Sequence, residues 1–111
     1  MTNKVGLFRT TGDANGRVTD SLSSPSYVNN YALSASTAKS VTVPSGARVA
    51  VFNSDANLWV RYDGSDAAIP ASDVTDGTGS ELNPAARDVS ELQSLSIIAA
   101  AACKVSISFY R

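Results

Sequence analysis

Three consecutive runs, Val41-Thr42-Val43, Arg48-Val49-Ala50-Val51-Phe52 and Leu58-Trp59-Val60-Arg61-Tyr62, alternate in polarity and are separated by Pro44-Ser45-Gly46 and Ser54-Asp55-Ala56-Asn57. A β-strand turns successive side chains to opposite faces, so a period of two with turn residues at its ends is the pattern of half-buried antiparallel strands. A helix would need apolar residues three and four apart, and no such stretch of useful length occurs. The chain is therefore expected to be all-β.

The C-terminus carries the strongest strand pattern. Val105, Ile107 and Phe109 fall on one face and Ser106, Ser108 and Tyr110 on the other, and burying each of the three apolar side chains contributes about 1.5–3 kcal/mol. Strands are predicted near 39–43, 47–53 and 58–62, with further ones from Leu95-Ser96-Ile97-Ile98 and from Val105 to the end. Near the N-terminus, Val5-Gly6-Leu7-Phe8-Arg9 and Arg17 to Leu22 read as a hairpin around Asp13-Ala14-Asn15-Gly16, because Asn-Gly tolerates the positive φ of tight turns. Residues 23–36 are polar and rich in Ser and Asn, which gives the first third a weak core signal. The expected organisation is an N-terminal hairpin or arm over residues 1–36 and an antiparallel β-sandwich, jelly-roll-like, over residues 37–111.

The connection from Asp63 to Glu91 carries Gly64, Pro70, Gly77, Gly79 and Pro84 and is expected to be largely irregular. Within it, Asn83-Pro84-Ala85-Ala86 matches a helix start, with Asn as N-cap and Pro at the first helical position.

Composition then narrows the chemistry. With 111 residues and 43% hydrophobic content the chain suits one core. Its net charge of -1 offers no general attraction to nucleic acid or to an anionic membrane surface. Cys103 is the only cysteine, so no intrachain disulfide forms, and folding is expected to proceed in a reducing compartment such as the cytoplasm. The N-terminal residues lack the apolar core of a signal peptide, and the apolar run from Ile97 to Cys103 is far below the roughly 20 residues that span a bilayer.

Histidine is absent, which removes Ser-His-Asp and Cys-His nucleophile systems, histidine general bases and histidine metal sites. A carboxylate pair is the remaining enzymatic route, and Asp63, Asp66, Asp73, Asp76 and Glu81 do concentrate acidity in one connection. Such a pair needs a deep cleft and one raised pKa, whereas a solvated acidic loop needs neither. For calcium, Asp73-Val74-Thr75-Asp76-Gly77-Thr78-Gly79 lacks EF-hand spacing. The expectation is a non-enzyme with no cofactor and no metal. Cys103 has no basic neighbour set to lower its pKa and reads as a buried or idle thiol.

Aromatic and Arg side chains are the usual anchors of protein interfaces, and Phe8, Arg9, Tyr27, Tyr31, Trp59 and Arg61 are the candidates here. Tyr27 and Tyr31 stand in a polar stretch and are read equally as contact surface or as local packing. Trp59 is core on one strand face; on the other, beside Arg61, it would stack on a sugar ring or anchor a contact. The core reading is the simpler of the two.

Taken together, Val41-Thr42-Val43-Pro44-Ser45-Gly46-Ala47-Arg48-Val49, the hairpin into Leu58-Trp59-Val60-Arg61-Tyr62, the stretch Asp76-Gly77-Thr78-Gly79-Ser80-Glu81-Leu82-Asn83-Pro84 and the ending Phe109-Tyr110 resemble small virion proteins of tailed bacteriophages. In length and layout, residues 39–111 are similar to the capsid decoration proteins of the epsilon-fifteen-like short-tailed phages. The resemblance implies a jelly-roll-like domain that forms a homodimer and clamps neighbouring major coat proteins, stabilising the capsid from its outer surface. Its location would be the virion, after synthesis in the host cytoplasm. A different class fits the same residues: a carbohydrate-binding β-module of a tail fibre or receptor-binding protein, with Trp59, Arg61 and Tyr62 as its stacking platform.

Overall fold

A computed structural model describes residues 8–12 and 18–111, with side chains from Ser23 onward. Among the described residues there is no helix. A two-stranded hairpin, β1 (Phe8–Gly12) and β2 (Val18–Leu22), precedes β3 (Tyr27–Leu33), β4 (Lys39–Thr42), β5 (Val49–Ser54), β6 (Trp59–Arg61), β7 (Glu81–Leu82), β8 (Ala86–Asp88), β9 (Ser94–Ile98) and β10 (Cys103–Tyr110). The expected N-terminal hairpin is present, with its first strand at 8–12 and Phe8 opposite Leu22. Its turn, 13–17, lies outside the described residues, as do the side chains of Phe8 and Arg9.

Strands β3 to β10 form two antiparallel sheets of four, in the orders β3-β10-β5-β8 and β4-β9-β6-β7. Apart from β6 and β7, each strand lies in the opposite sheet from the strand before it. This double Greek-key order is the jelly roll. The sandwich begins earlier than expected, because β3 pairs along its whole length with β10, from Tyr27 opposite Phe109 to Leu33 opposite Cys103. The boundary read at 36/37 therefore falls after a strand that belongs to the sandwich. Polar composition concealed β3 because it is an edge strand, whose side chains are only partly covered.

The core lies between the sheets. Val105, Ile107 and Phe109 are buried as the alternation requires, and so is Cys103. They meet Ala50 and Phe52 of the same sheet and Val41, Val60, Leu95 and Ile97 of the other. Burial pushes the Cys103 thiol pKa up, consistent with an inert core cysteine.

Turns match their residues where backbone geometry is demanding. Gly46 has φ of 82° and the Ala47 N–H donates to the Pro44 carbonyl at 3.0 Å, a turn that needs positive φ at its third residue. Asn83 also has positive φ, 49°, and the helix expected to start there does not form. Its N–H donates to the Leu58 carbonyl at 2.7 Å and its Oδ1 accepts from the Leu58 N–H at 2.8 Å. Asn83 thus pairs with Leu58 from both its main chain and its side chain, and the following Ala86–Asp88 is strand β8, paired with Val49–Val51. Asp55 repeats the device: its N–H donates to the Lys104 carbonyl and its carboxylate accepts from the Lys104 N–H. This extends the β5–β10 pairing one residue into the turn.

Because β10 is paired on both sides and Phe109 is fully buried, Phe109→Ala is expected to cost about 3–5 kcal/mol. Urea denaturation monitored by circular dichroism measures this. A loss below about 1 kcal/mol would place β10 at the periphery of the stability of the fold.

Candidate functional site

The two sheets leave two open sides and two outer faces, and the side chains singled out from the sequence divide among these four places. At the first open side, edge strands β3 and β4 come together. Tyr31 stands opposite the buried Val105, and its hydroxyl accepts from Asn29 Nδ2 at 3.1 Å. From β4, Lys39 reaches across with Nζ 6.0 Å from the Tyr31 ring centre and donates to the Ala32 carbonyl at 3.3 Å. Tyr31 therefore packs on the core. Tyr27 sits at the end of the same strand, 46% exposed, with its ring edge-on to Phe109 at 6.5 Å.

The second open side is closed by edge strands β7 and β8. Glu81 of β7 accepts from the Tyr62 hydroxyl at 2.7 Å and from Arg87 Nε at 3.0 Å, and its second carboxylate oxygen pairs with Arg87 Nη2. Arg87 lies on β8, opposite the buried Ala50, so the ion pair joins one sheet to the other. The Arg87 guanidinium, with help from the Tyr62 hydroxyl, holds the Glu81 carboxyl below its ordinary value. Burial and the adjacent Glu81 push the Tyr62 hydroxyl well above its ordinary value.

This placement separates the three residues read as one stacking platform. Tyr62 follows the buried Val60 by two residues and takes the inner side, toward Glu81, while Trp59 and Arg61 take the outer face of β6. Trp59 is only partly buried, so it is not a core residue. The simpler reading fails here because both neighbours of Val60 must face outward once Val60 faces in.

The outer face around Trp59 is covered by the chain itself. The Ala67 N–H donates to the Ser96 hydroxyl at 2.8 Å in a buried contact, and Ser96 and Ile98, outward-facing on β9, are buried. The segment from Asp66 to Ser80 lies over this sheet and leaves a cavity of about 490 Å³ lined by Trp59, Arg61, Pro70, Asp73, Thr78 and Ser80, among others.

Two acidic residues of this connection, Asp63 and Asp76, serve local structure. Asp63 takes both Nε and Nη2 of Arg61, at 2.8 and 2.9 Å, and accepts from the Ser65 N–H. Asp76 accepts from the Thr78 N–H and hydroxyl. These partners hold the carboxyls of Asp63 and Asp76 below the ordinary range, opposite in direction to the shift a general acid requires. No three His, Cys, Asp or Glu side chains among the described residues are grouped to hold a metal ion.

On the other outer face, that of β3-β10-β5-β8, Tyr110 at the end of β10 is buried and the rows next to it are more open. Val28, Ser108 and Val51 lie in one row across it, and Asn30, Ser106 and Asn53 in the next. Val28 is 47% exposed and Ser106, Ser108 and Val51 are partly so. A shallow depression of about 490 Å³ runs over Asn30, Ala32, Asn53, Lys104 and Ser106. Of the residues expected at an interface, Tyr27 borders this sheet, Trp59 and Arg61 lie on the opposite side of the sandwich, and the side chains of Phe8 and Arg9 lie outside the described set. The sequence reading passed over the bare face itself, although its signal, Ser and Asn at alternate positions in β10 and β3, was present.

Comparison with protein-family models, with curated proteins and with solved structures finds no match.

The clasp of Tyr62, Glu81 and Arg87 has a pH signature. A depressed carboxyl pKa stabilises the fold above the ordinary value of 4.5, and that contribution is lost as pH falls through the lower folded value. A raised tyrosine pKa stabilises the fold below the ordinary value of 10.0, and that contribution is lost as pH rises above it. The Glu81→Gln variant should therefore lose less stability than wild type between about pH 5 and pH 3, and Tyr62→Phe less between about pH 9 and pH 11. Solvent at the rim of the sandwich keeps both effects small. Denaturant midpoints across the two ranges measure them, and parallel curves for wild type and variants would show that the clasp carries no net stability.

Proposed function

We propose that this chain is a structural protein of a bacteriophage virion, a homodimer that sits on the outer capsid surface and clamps neighbouring major coat proteins. The observation that carries the reading is the asymmetry of the sandwich. One outer face is roofed by the Asp66–Ser80 segment, with Ala67 bonded to Ser96, while the other, beside the buried Tyr110, presents rows of Val, Ser and Asn side chains. Its described charges are confined to Lys104, Asp88 and the strand ends.

A face of this kind suits a static contact. It holds few charges to desolvate and short side chains with little rotamer entropy to lose, which lowers the cost of association. Strands of 7, 8, 6 and 3 residues, at about 3.4 Å per residue and about 4.8 Å apart, cover roughly 400 Å², while a standard contact buries about 800 Å² on each partner. The face supplies about half of such a contact. The N-terminal hairpin, carrying Phe8 and Arg9, and the exposed Tyr27 supply the remainder in this reading. Two copies in a dimer would then bind two coat subunits, and the linkage raises overall avidity without demanding high affinity at either site.

Supporting features are the resemblance over residues 39–111 and the carboxylates of Asp63, Asp76, Glu81 and Asp88, which are occupied in turns and ion pairs. The decisive experiment is co-sedimentation of the purified chain with capsids stripped of decoration, together with sedimentation velocity of the free protein. Wild type should bind capsids and sediment as a dimer. Val51→Lys and Ser108→Arg, which place charge on the bare face, should each weaken capsid binding at least tenfold, about 1.4 kcal/mol, with an unchanged urea midpoint. Failure of wild type to co-sediment would overturn the capsid role, and full binding by both variants would remove this face from it.

A further inference from the structure

We propose that the cavity between β6 and the Asp66–Ser80 segment is a binding site for a neutral pyranose ring, with Trp59 as its floor. This site is on the opposite side of the sandwich from the bare face and stands independently of the capsid reading. A sugar ring has an apolar face of C–H groups and an edge of hydroxyls, so it needs an aromatic surface with donors and acceptors around it. Trp59 is partly buried and lines the cavity, as does Pro70. Arg61, Asp73, Thr78 and Ser80 line the same space.

Each polar group has a definable part. Arg61 is held by two bonds to Asp63, which fixes the plane of its guanidinium and leaves its other N–H groups as donors. Asp73 is a carboxylate acceptor for sugar hydroxyls. Ser80 accepts from the Ala68 N–H at 3.0 Å, so its own hydroxyl hydrogen remains to be donated. Since Asp63 already offsets the Arg61 charge and Asp73 adds a negative one, the cavity disfavours anionic sugars. Its volume of about 490 Å³ lies in the range of small-ligand sites.

The wall is tied down at its base before any ligand arrives. Ala67 is anchored to Ser96 and Ala68 to Ser80, while Asp63–Ser65 and Asp76–Thr78 close local turns on either side. Gly64 and Gly77, at φ of 90° and 89°, make the sharp bends between these anchors without the strain a side chain would bring. A wall ordered in advance reduces the entropy lost on binding.

Trp59 is the only tryptophan in the chain, so its emission reports directly on this cavity. The probes are gluco-, galacto- and manno-oligosaccharides of two to four units, with oligogalacturonate as the anionic control. Saturable change in emission with at least one neutral series is expected, with a Kd near or below about 1 mM. By calorimetry Trp59→Ala should abolish binding and Asp73→Asn should weaken it at least fivefold. Circular dichroism monitors folding, and Asp73→Asn decides the question if Trp59→Ala does not fold. Absence of saturation with all three neutral series, tighter binding of the anionic control, or unchanged affinity in Asp73→Asn would overturn the assignment. Capsid co-sedimentation of Asp73→Asn keeps the two readings apart: retained capsid binding is expected, and its loss would assign the cavity to the coat-protein contact instead.

Discussion

The fold depends on the insertion of the last strand between two strands that precede it by about fifty and eighty residues. β10 pairs with β5 on one side and β3 on the other, and its inward residues Val105, Ile107 and Phe109 complete a core shared with the opposite sheet. Such pairings bring together residues far apart in sequence, so chain entropy must be lost before the burial of apolar surface offsets it. Until β10 is in place, β3 has no partner in the sandwich and β5 has only the short β8. The sheet is thus assembled around its final element.

Closure of the sandwich at its sides follows from a second constraint. Two stacked sheets expose core atoms wherever their edge strands do not meet, and an apolar edge would invite pairing with other chains. Here the edges carry amphipathic side chains whose apolar parts lie on the core while their polar ends bond across the gap. Lys39, over the Tyr31 ring, does this between β3 and β4, and Arg87, paired with Glu81, between β8 and β7, while the Tyr31 and Tyr62 hydroxyls bond Asn29 and Glu81 on their own sheets. The two tyrosines supply ring area inside and a hydroxyl at the rim, where an aliphatic residue would leave Asn29 or Glu81 without that partner.

Legibility from sequence tracks how local the determining physics is. β4, β5, β6, β9 and β10 were readable because period-two alternation is a property of the strand itself. Tyr27–Leu33 was not, since an edge strand with Asn29 and Asn30 at its centre carries little apolar signal and is held by what β10 offers it. Asn83 was misread because Asn before Pro suits a helix start as well as a left-handed turn, and only the distant Leu58 selects between them. The separation of Tyr62 from Trp59 and Arg61 was available in principle, as residues two apart share a face and residues three apart do not. What no local pattern disclosed was the return of Ala67 onto Ser96, which turns an acidic, Gly- and Pro-rich connection into the roof of one sheet.

That roof gives the two outer faces different physical characters. Side chains under a roof can be held in a concave arrangement with acceptors and donors at set positions, as Arg61 is by Asp63, and concavity favours small ligands. A sheet of Val, Ser and Asn whose only described hollow is the shallow, more open depression over Asn30, Asn53 and Ser106 spreads a substantial contact over area and favours a macromolecular partner. The connection is kept on its sheet by the buried Ala67, whose N–H donates to Ser96, and by Ala68, whose N–H donates to Ser80. Without those anchors, Ser96 and Ile98 would lose their cover, Trp59 would stand on an open surface, and both faces of the sandwich would present more nearly the same kind of exposed strand.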